Sequence, residues 1–174
     1  MEKSTKKWLL TCLAALAAGV LLHFLFQWLP NPATALISPV RESIWEHVKL
    51  LYFPLLVATL FLNRGGSAAG RTPWLASMLI VCAAMLGAGW LYHVVLRGEN
   101  MVFDLMLYAL LMVAGFVLPR VLWPLGQQKW AEKLISGLTL LLGLLIIWFT
   151  FFPPAGTLFA DLSGTLRTFL TIPV

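Results

Sequence analysis

Apolar residues form long, nearly uninterrupted runs along this chain, and polar residues are concentrated in the short stretches between the runs. The runs approach or exceed the roughly 18 residues that indicate a membrane-spanning helix. Turn-forming residues separate five of them. The pattern predicts an all-α fold, namely a polytopic membrane helix bundle with five transmembrane helices in a single domain, residues 1–174. The predicted spans lie near residues 8–29, 48–63, 73–96, 101–123 and 133–152.

The composition agrees with a membrane protein and excludes several other classes. Of the 174 residues, 60% are apolar and 11% are charged, and the mean hydropathy is +0.89. Soluble domains have roughly 45–50% apolar and about 25% charged residues. A soluble globular domain is therefore excluded, as are a disordered chain, collagen and a coiled coil. We expect membrane lipid to surround this protein.

The net charge of +5 reports orientation rather than a nucleic-acid partner. Basic residues lie mainly at the ends of the apolar runs, and the side that carries more of them is usually cytoplasmic. We therefore expect a cytoplasmic N-terminus, an extracytoplasmic C-terminus and no nucleic-acid partner. The basic residues on the first side are Lys3, Lys6, Lys7, Arg64, Arg71, Arg120, Lys129 and Lys133, and those on the second are Arg41, Lys49, Arg97 and Arg167.

Both ends of the chain allow two interpretations. The basic N-terminus resembles a signal peptide, but the apolar run continues to Leu29, and its length of about 22 residues favours a retained first helix over cleavage. After Pro153 and Pro154, apolar residues recur at helical spacing, so residues 155–174 are predicted to form a C-terminal interfacial helix or lid. A sixth span is the alternative, although Asp161 and a nearby arginine would make it costly.

Acidic residues and histidines gather on the predicted outer side. Only Glu2 and Glu132 are left on the inner side. All three histidines belong to the outer group, although they are far apart in the sequence. The outer group is His23, Glu42, Glu46, His47, His93, Glu99, Asp104 and Asp161. This distribution predicts a polar site at one end of the bundle.

The segment before the second span carries the most specific pattern. Ser38 as N-cap and Pro39 as the first helical residue predict a helix from residue 39 to about Asn63. Its strongly apolar part, residues 50–63, covers roughly 21 Å of a hydrocarbon core about 30 Å thick. The polar turns before it are therefore expected to reach membrane depth, where ionisable groups are costly unless they are paired or face water.

Within these turns, Glu42 and Glu46 are four residues apart and are expected to share a helix face. A like-charge pair of this kind is unfavourable unless a cation, a shared proton or a base such as Lys49 offsets it. Two interpretations stay open. One is a functional cluster that faces the bundle interior together with His47, and the other is a helix end in the headgroup region.

This stretch resembles an uncharacterised family of small bacterial polytopic membrane proteins with the signature Ser-Pro-x-x-Glu-Ser-x-Trp-Glu-His-x-Lys-Leu-x-Phe-x-Pro. The matching positions are Ser38, Pro39, Glu42, Ser43, Trp45, Glu46, His47, Lys49, Leu50 and Pro54. The chain differs at Arg41 and Tyr52, where that family has Asn and Phe. The ending around residues 151–161 is also similar, so the resemblance extends over most of the chain. It implies a multi-pass protein of the bacterial cytoplasmic membrane and no known activity.

The other outer residues each have an ordinary structural interpretation. A lone histidine such as His23 more often makes an interhelical hydrogen bond than binds a ligand. His93 fits an interfacial side chain, Asp104 fits the first turn of the fourth span, and Asp161 fits a solvated turn. Their functional interpretation depends on whether the fold brings them together.

A converging outer cluster would suit a divalent metal ion as cofactor. Two imidazoles with one or two carboxylates are ligands for zinc, which activates water for hydrolysis. The candidate metal ligands are His23, His47, His93, Glu46, Asp104 and Asp161. The candidate catalytic residues are Glu46, His47, Glu42 and Lys49. The leading hypothesis is a metal-dependent hydrolase that acts on a lipid or lipid-linked substrate.

Two other function classes use the same residues. A proton-coupled or cation transporter would bind its solute at the acids and histidines, but it needs a polar path through the inner half of the bundle, where the sequence is almost wholly apolar. A non-catalytic accessory or scaffold subunit would use the cluster only to fix helix packing. An enzyme predicts bound metal or a lipid-shaped groove, a transporter predicts access from both sides, and a scaffold predicts that every polar atom is paired.

Overall fold

A computed structural model of the chain describes residues 2–162. This part is all-helical, and none of its residues lies in a β-strand. The helices are α1 (Glu2–Trp28), α2 (Pro32–Ile37), α3 (Ile44–Leu62), α4 (Ala68–Gly89), α5 (Met101–Val121) and α6 (Lys129–Phe151). A π-helical turn (Trp90–Val95) extends α4, and a short 3-10 helix (Trp123–Gln127) precedes α6. The predicted all-α fold is confirmed.

Five helical segments are long and apolar enough to cross a membrane. They are Thr5–Trp28, Ile44–Leu62, Ala68–Val95, Met101–Val121 and Lys129–Phe151. Large apolar side chains such as Leu10, Leu110 and Leu140 are exposed on their outward faces. Helices that are apolar all round are typical of a membrane environment. The prediction of five membrane-length helices is confirmed.

Helix α3 lies at the centre of the bundle. It contacts α1, α4, α5 and α6, and 67% of its most apolar window is buried, against 17% to 39% for the other four spans. Its side chains Val48, Leu51 and Leu55 form one core with Met78 of α4 and Met112 of α5. Side chains in the first turns of α3 are therefore held by neighbouring helices on several sides.

Close contacts between helices occur at several glycines, including Gly19 and Gly143. Tyr108 of α5 donates its hydroxyl hydrogen to the Leu16 carbonyl oxygen of α1 at 2.8 Å. A side chain on Gly19 would overlap that hydroxyl, and one on Gly143 of α6 would overlap the hydroxyl of Tyr52. Small residues at these positions allow the helices to approach closely, as is common in membrane bundles.

The two ends of the bundle differ in chemistry. At one end, the Lys7 ammonium lies 4.7 Å from the centre of the Phe61 ring, and the Arg120 guanidinium lies 5.1 Å from the centre of the Trp8 ring. These contacts join the start of α1 to the last turns of α3 and α5. The first turn of α3, the π-helical turn and the start of α5 are consequently at the opposite end, together with the end of α1.

Helix α3 begins at Ile44, so the predicted start at Pro39 is wrong. Ser43 is the N-cap, and its hydroxyl accepts a hydrogen bond from the Glu46 amide at 3.2 Å. Ser38, the predicted N-cap, instead ends α2 in an extended conformation, and its hydroxyl bonds to the backbone of α1. Because Ser38 is engaged by another helix, residues 38–43 form a nonhelical connection between α2 and α3.

The chain folds back over the start of α3 after α6 ends. The Trp45 amide donates to the Leu158 carbonyl oxygen at 3.0 Å, and the Leu162 amide donates to the Glu42 carbonyl oxygen at 2.7 Å. Residues 155–160 form turns and bends, and residues 161–162 have no regular structure, so this part of the predicted interfacial helix is not helical. The rest of that prediction, like the alternative sixth span, lies outside the described residues.

Candidate metal site

Two histidines and one glutamate from separate segments meet at one end of the bundle. His23 lies in the last turns of α1, Glu42 in the connection between α2 and α3, and His47 in the first turn of α3. Glu42 Oε1 is 3.9 Å from His23 Nε2, and Glu42 Oε2 is 3.4 Å from His47 Nε2. One ligand atom of each residue lies within 4.8 Å of those of the other two. We refer to His23, Glu42 and His47 as the triad.

The His47 ring is oriented by the backbone at the start of its own helix. Its Nδ1 lies 2.7 Å from the Ser43 carbonyl oxygen. A carbonyl only accepts, so Nδ1 carries the hydrogen. The hydrogen bond from His47 to Glu42 then uses a second proton, on Nε2; when the ring is neutral, Nε2 carries the lone pair and is free to bind a metal ion. Metal-binding histidines are commonly oriented in this way, with the other ring nitrogen donating to a carbonyl or carboxylate.

The turn of α1 that carries His23 is fixed by Ser38. The Ser38 hydroxyl accepts from the Phe26 amide at 3.0 Å and donates to the Leu22 carbonyl oxygen, so it is inserted into the hydrogen-bond ladder of α1. Such an insertion is a recognised cause of local helix bending. The His23 ring centre lies 5.5 Å from that of His47. Within the described residues, the buried Nδ1 of His23 has no hydrogen-bond partner.

Glu42 is held at the imidazoles by the backbone on both sides of it. The Ser43 amide donates to the Arg41 carbonyl oxygen at 2.9 Å, and the Glu42 carbonyl oxygen accepts from the returning C-terminal segment. The hydrogen bond with His47 lowers the pKa of the Glu42 carboxyl below its ordinary value; burial opposes this shift, and the nearby charges of His47 and His23 add to the lowering. Glu42 is therefore a carboxylate at neutral pH.

The donor set of the triad is of the kind that zinc accepts, whereas its spacing is wider than in a zinc site. Zinc takes nitrogen and carboxylate ligands at about 2.0–2.2 Å, and tetrahedral geometry then separates neighbouring ligand atoms by about 3.3 Å. In the triad, the separations of 3.4 Å and 3.9 Å are to different oxygens of Glu42, and the three ligand atoms lie within 4.8 Å of one another, so the side chains would have to draw closer around an ion. Three protein ligands leave a fourth position open, as in catalytic zinc sites.

Glu46 and Lys49, two of the predicted catalytic residues, form a separate buried ion pair. Lys49 Nζ lies 2.7 Å from Glu46 Oε2 and also donates to the carbonyl oxygens of Ala35 and Ser38, at 2.8 Å and 3.1 Å. The expectation that Glu42 and Glu46 share a helix face is wrong, because Glu42 precedes the first residue of α3. Glu46 faces Lys49 instead of the triad.

His93 and Asp104 form a second pair outside the triad. His93 Nε2 is 2.8 Å from Asp104 Oδ1, and His93 Nδ1 is 2.9 Å from the Gly98 carbonyl oxygen. Both ring nitrogens are therefore engaged, one by the turn that follows the π-helical segment and the other by the first turn of α5. Asp104 remains within electrostatic range of His47. The His93–Asp104 pair therefore stabilises the turn before α5, near the triad.

The structure brings only some of the predicted residues together. Of the candidate metal ligands, His23 and His47 belong to the triad, and Glu42, favoured from the sequence as a catalytic residue, completes it. Asp161 lies in the segment that folds back over α3, next to the residue whose amide bonds Glu42. The predicted residues outside the triad are Glu46, Lys49, His93, Asp104 and Asp161.

Two serines that position the triad were not predicted as site residues. Ser43 caps α3 and orients His47, and Ser38 fixes the turn that carries His23. The sequence from Ser43 to Glu46 has the Ser-x-x-Glu spacing of a capping signature, so a signal for Ser43 was present. The role of Ser38 depends on a contact with a distant helix and has no local signal.

The fold and the site together indicate a class: a helical membrane protein with a cluster of ionisable side chains at one end of its bundle. The chain belongs to DUF6512, a family of unknown function whose sequence profile matches residues 1–166. This match includes the triad and the segment that folds back over it, and it agrees with an uncharacterised family. Comparisons with curated proteins and with solved structures gave no match.

Proposed function

We propose that this protein is a metal-dependent membrane hydrolase that holds zinc at His23, Glu42 and His47 and acts on a lipid or lipid-linked substrate. The observation that carries the proposal is the convergence of two imidazoles and a carboxylate from three segments. Backbone contacts fix the segments that carry all three residues, and for His47 such a contact also reaches the ring. Functional sites are typically supported in this way.

The ligand chemistry favours zinc, which accepts imidazole nitrogen and carboxylate oxygen and leaves a position open in catalytic sites. When bound, zinc supplies the Lewis acidity that activates water and polarises an ester or phosphoryl oxygen. The protein's own residues orient the three ligands of the proposed site. Ser43 fixes the hydrogen on Nδ1 of His47, Ser38 fixes the turn that carries His23, and the hydrogen bond with His47 favours the ionised form of Glu42.

An apolar groove formed by the end of α1, α2 and the end of α6 has the size and character to hold a lipid chain, although none of the triad residues lines it. Its volume is about 310 Å³, and its lining is mainly apolar, with Phe26, Val40 and Phe151 among the residues. Phe26 lies one helical turn after His23, and Val40 shortly precedes Glu42. We propose that this groove holds the acyl or isoprenoid chain of the substrate.

The core beneath the triad disfavours transport. Transport needs a polar path, whereas this core is built from apolar side chains such as Leu51, Leu55, Met112 and Phe116.

The proposal places the triad on the extracytoplasmic side of a bacterial cytoplasmic membrane. The opposite end of the bundle carries Lys7, Arg64 and Arg120 together with most of the other basic residues. An excess of lysine and arginine marks the cytoplasmic side of helical membrane proteins. The substrate is therefore expected in the outer leaflet of that membrane.

Lipid turnover in spheroplasts of a bacterial expression host tests this function. Wild type should change the abundance of at least one lipid class relative to His47→Ala, because the variant lacks a zinc ligand. A membrane-impermeant chelator added outside should abolish the difference. His93→Ala, which removes a histidine outside the triad, should behave like wild type.

Equal lipid profiles for wild type and His47→Ala at matched protein levels would contradict the hydrolase. A profile difference that survives the external chelator would contradict the proposed location of the metal.

A further inference from the structure

Lys49 is the most deeply buried charged residue in the described part of the chain. Its side chain has no exposed surface, yet it lies in the second turn of α3, beside the nonhelical connection that carries Glu42. An ammonium group has three hydrogens to donate. All three are used: one goes to the Glu46 carboxylate and two go to the carbonyl oxygens of Ala35 and Ser38.

Glu46 also bonds the backbone of the connection between α2 and α3. Its Oε2 accepts from the Val40 amide at 2.9 Å as well as from Lys49 at 2.7 Å. The two charged side chains of α3 therefore bind the backbone at three points, namely Ala35, Ser38 and Val40. The next carboxylate along this backbone is Glu42.

The same stretch of backbone is joined to α1 through Ser38. The Ser38 carbonyl oxygen accepts from Lys49, while the Ser38 hydroxyl bonds to α1 before and after His23. Lys49 thus influences the position of two triad residues, Glu42 and His23. It holds the segment that carries Glu42, and it holds the residue that fixes the turn of His23.

Stability alone does not explain a buried ion pair at this position. Removing two charges from water is costly, and replacing a buried pair by apolar residues is often neutral or stabilising. Groups that orient metal ligands, in contrast, are needed for affinity, and their loss typically weakens metal binding by about 10-fold to 100-fold.

We infer that Lys49 is a positioning residue for the triad: with Glu46 it holds residues 35–40 so that Glu42 stays against His23 and His47. The inference rests on the proposed function only where it concerns zinc. The geometry of the triad in metal-free protein is a separate consequence, and it can be measured without any ligand.

The test uses isotope-labelled histidine in metal-free protein, because the chain has only three histidines. Lys49→Met should move the imidazole resonances of His23 and His47 toward their positions in Glu42→Gln. The resonance of His93 should stay in place. Ser77→Ala, which removes another buried hydrogen-bonding side chain, should move none of the three, since its hydroxyl bonds Gly115 elsewhere in the bundle.

Unchanged His23 and His47 resonances in Lys49→Met, or equal shifts of all three histidines, would overturn the inference. If Lys49→Met does not fold, Lys49→Gln, which retains hydrogen-bond donors, should give the same pattern at smaller amplitude. The same two outcomes would overturn the inference for this variant.

Zinc affinity separates this inference from the proposed function. Lys49→Met should bind zinc about 10-fold to 100-fold more weakly than wild type, as expected for loss of an orienting group. If wild type itself binds no zinc, the proposed function fails, while the imidazole measurement still decides the positioning role.

Discussion

At the scale of single residues, two glutamates four positions apart have different surroundings. Glu46 is 4% exposed and bonds Lys49 and a backbone amide. Glu42 is partly exposed and faces two imidazoles. The difference arises because α3 begins between them, so Glu46 points to the interior from a helix while Glu42 is carried by the connection before it. Glu42 is the carboxylate of the proposed metal site.

The lowered pKa of Glu42 gives the triad a defined pH dependence. A carboxyl whose pKa is lower in the folded protein stabilises the fold above its unfolded-state pKa, about 4.3 for glutamate. This contribution is lost as the pH falls through the lower folded-state pKa. Chelator-treated wild type should therefore melt at a higher temperature than Glu42→Gln at neutral pH, and the difference should shrink below about pH 4.3. Thermal melts in detergent over this range measure it, and a difference independent of pH would contradict the assignment.

At the scale of elements, the short helix α2 and the connection after it are not membrane spans, but they position residues of the triad. Asn31 caps α2, and its side chain accepts from the amides of Ala33 and Thr34. The connection then lies between α1 and α3 and is bonded to both through Ser38 and Lys49. Two spans and an irregular segment together build the triad.

The contact of α1 with α5 and α3 depends on a glycine. An alanine Cβ at position 19 would overlap the Tyr108 hydroxyl and lie 2.8 Å from the Leu50 carbonyl oxygen. Gly19→Ala should lower the free energy of unfolding by about 1–3 kcal/mol, the usual cost of overpacking. Gly87→Ala is the matched control, because its added carbon meets nothing within 4 Å. Melting temperatures of both variants measure the effect, and equal losses would show that the close contact is not the cause.

The sequence predicts the five membrane-length helices, but it does not predict where α3 begins. Long apolar runs specify membrane-length helices by local composition, so five were expected and five are present. Two capping patterns competed before α3, one at Ser38 and one at Ser43. The choice between them depends on the bond from Ser38 to Leu22 of α1, a contact that no local sequence pattern encodes. The same contact decides which glutamate meets the histidines.

At the scale of the whole molecule, the two ends of the bundle carry different kinds of polar side chain. One end carries basic side chains that lie over aromatic rings. The other end carries the triad, the His93–Asp104 pair and the returning segment. The one-sided distribution of histidines and acids could be predicted from the sequence. Because consecutive spans run in opposite directions, the position of a residue along its span shows at which end of the bundle it lies. The selection of three ligands from that group required the fold.

Zinc K-edge X-ray absorption on zinc-loaded, washed protein tests the central claim most directly. We expect one zinc per chain with two imidazole nitrogens and carboxylate oxygen at about 2.0–2.2 Å. His47→Ala should lose an imidazole from the spectrum or lose the metal, and His93→Ala should match wild type. A wild type that retains no zinc, or a His47→Ala spectrum identical to that of wild type, would contradict a metal site at the triad.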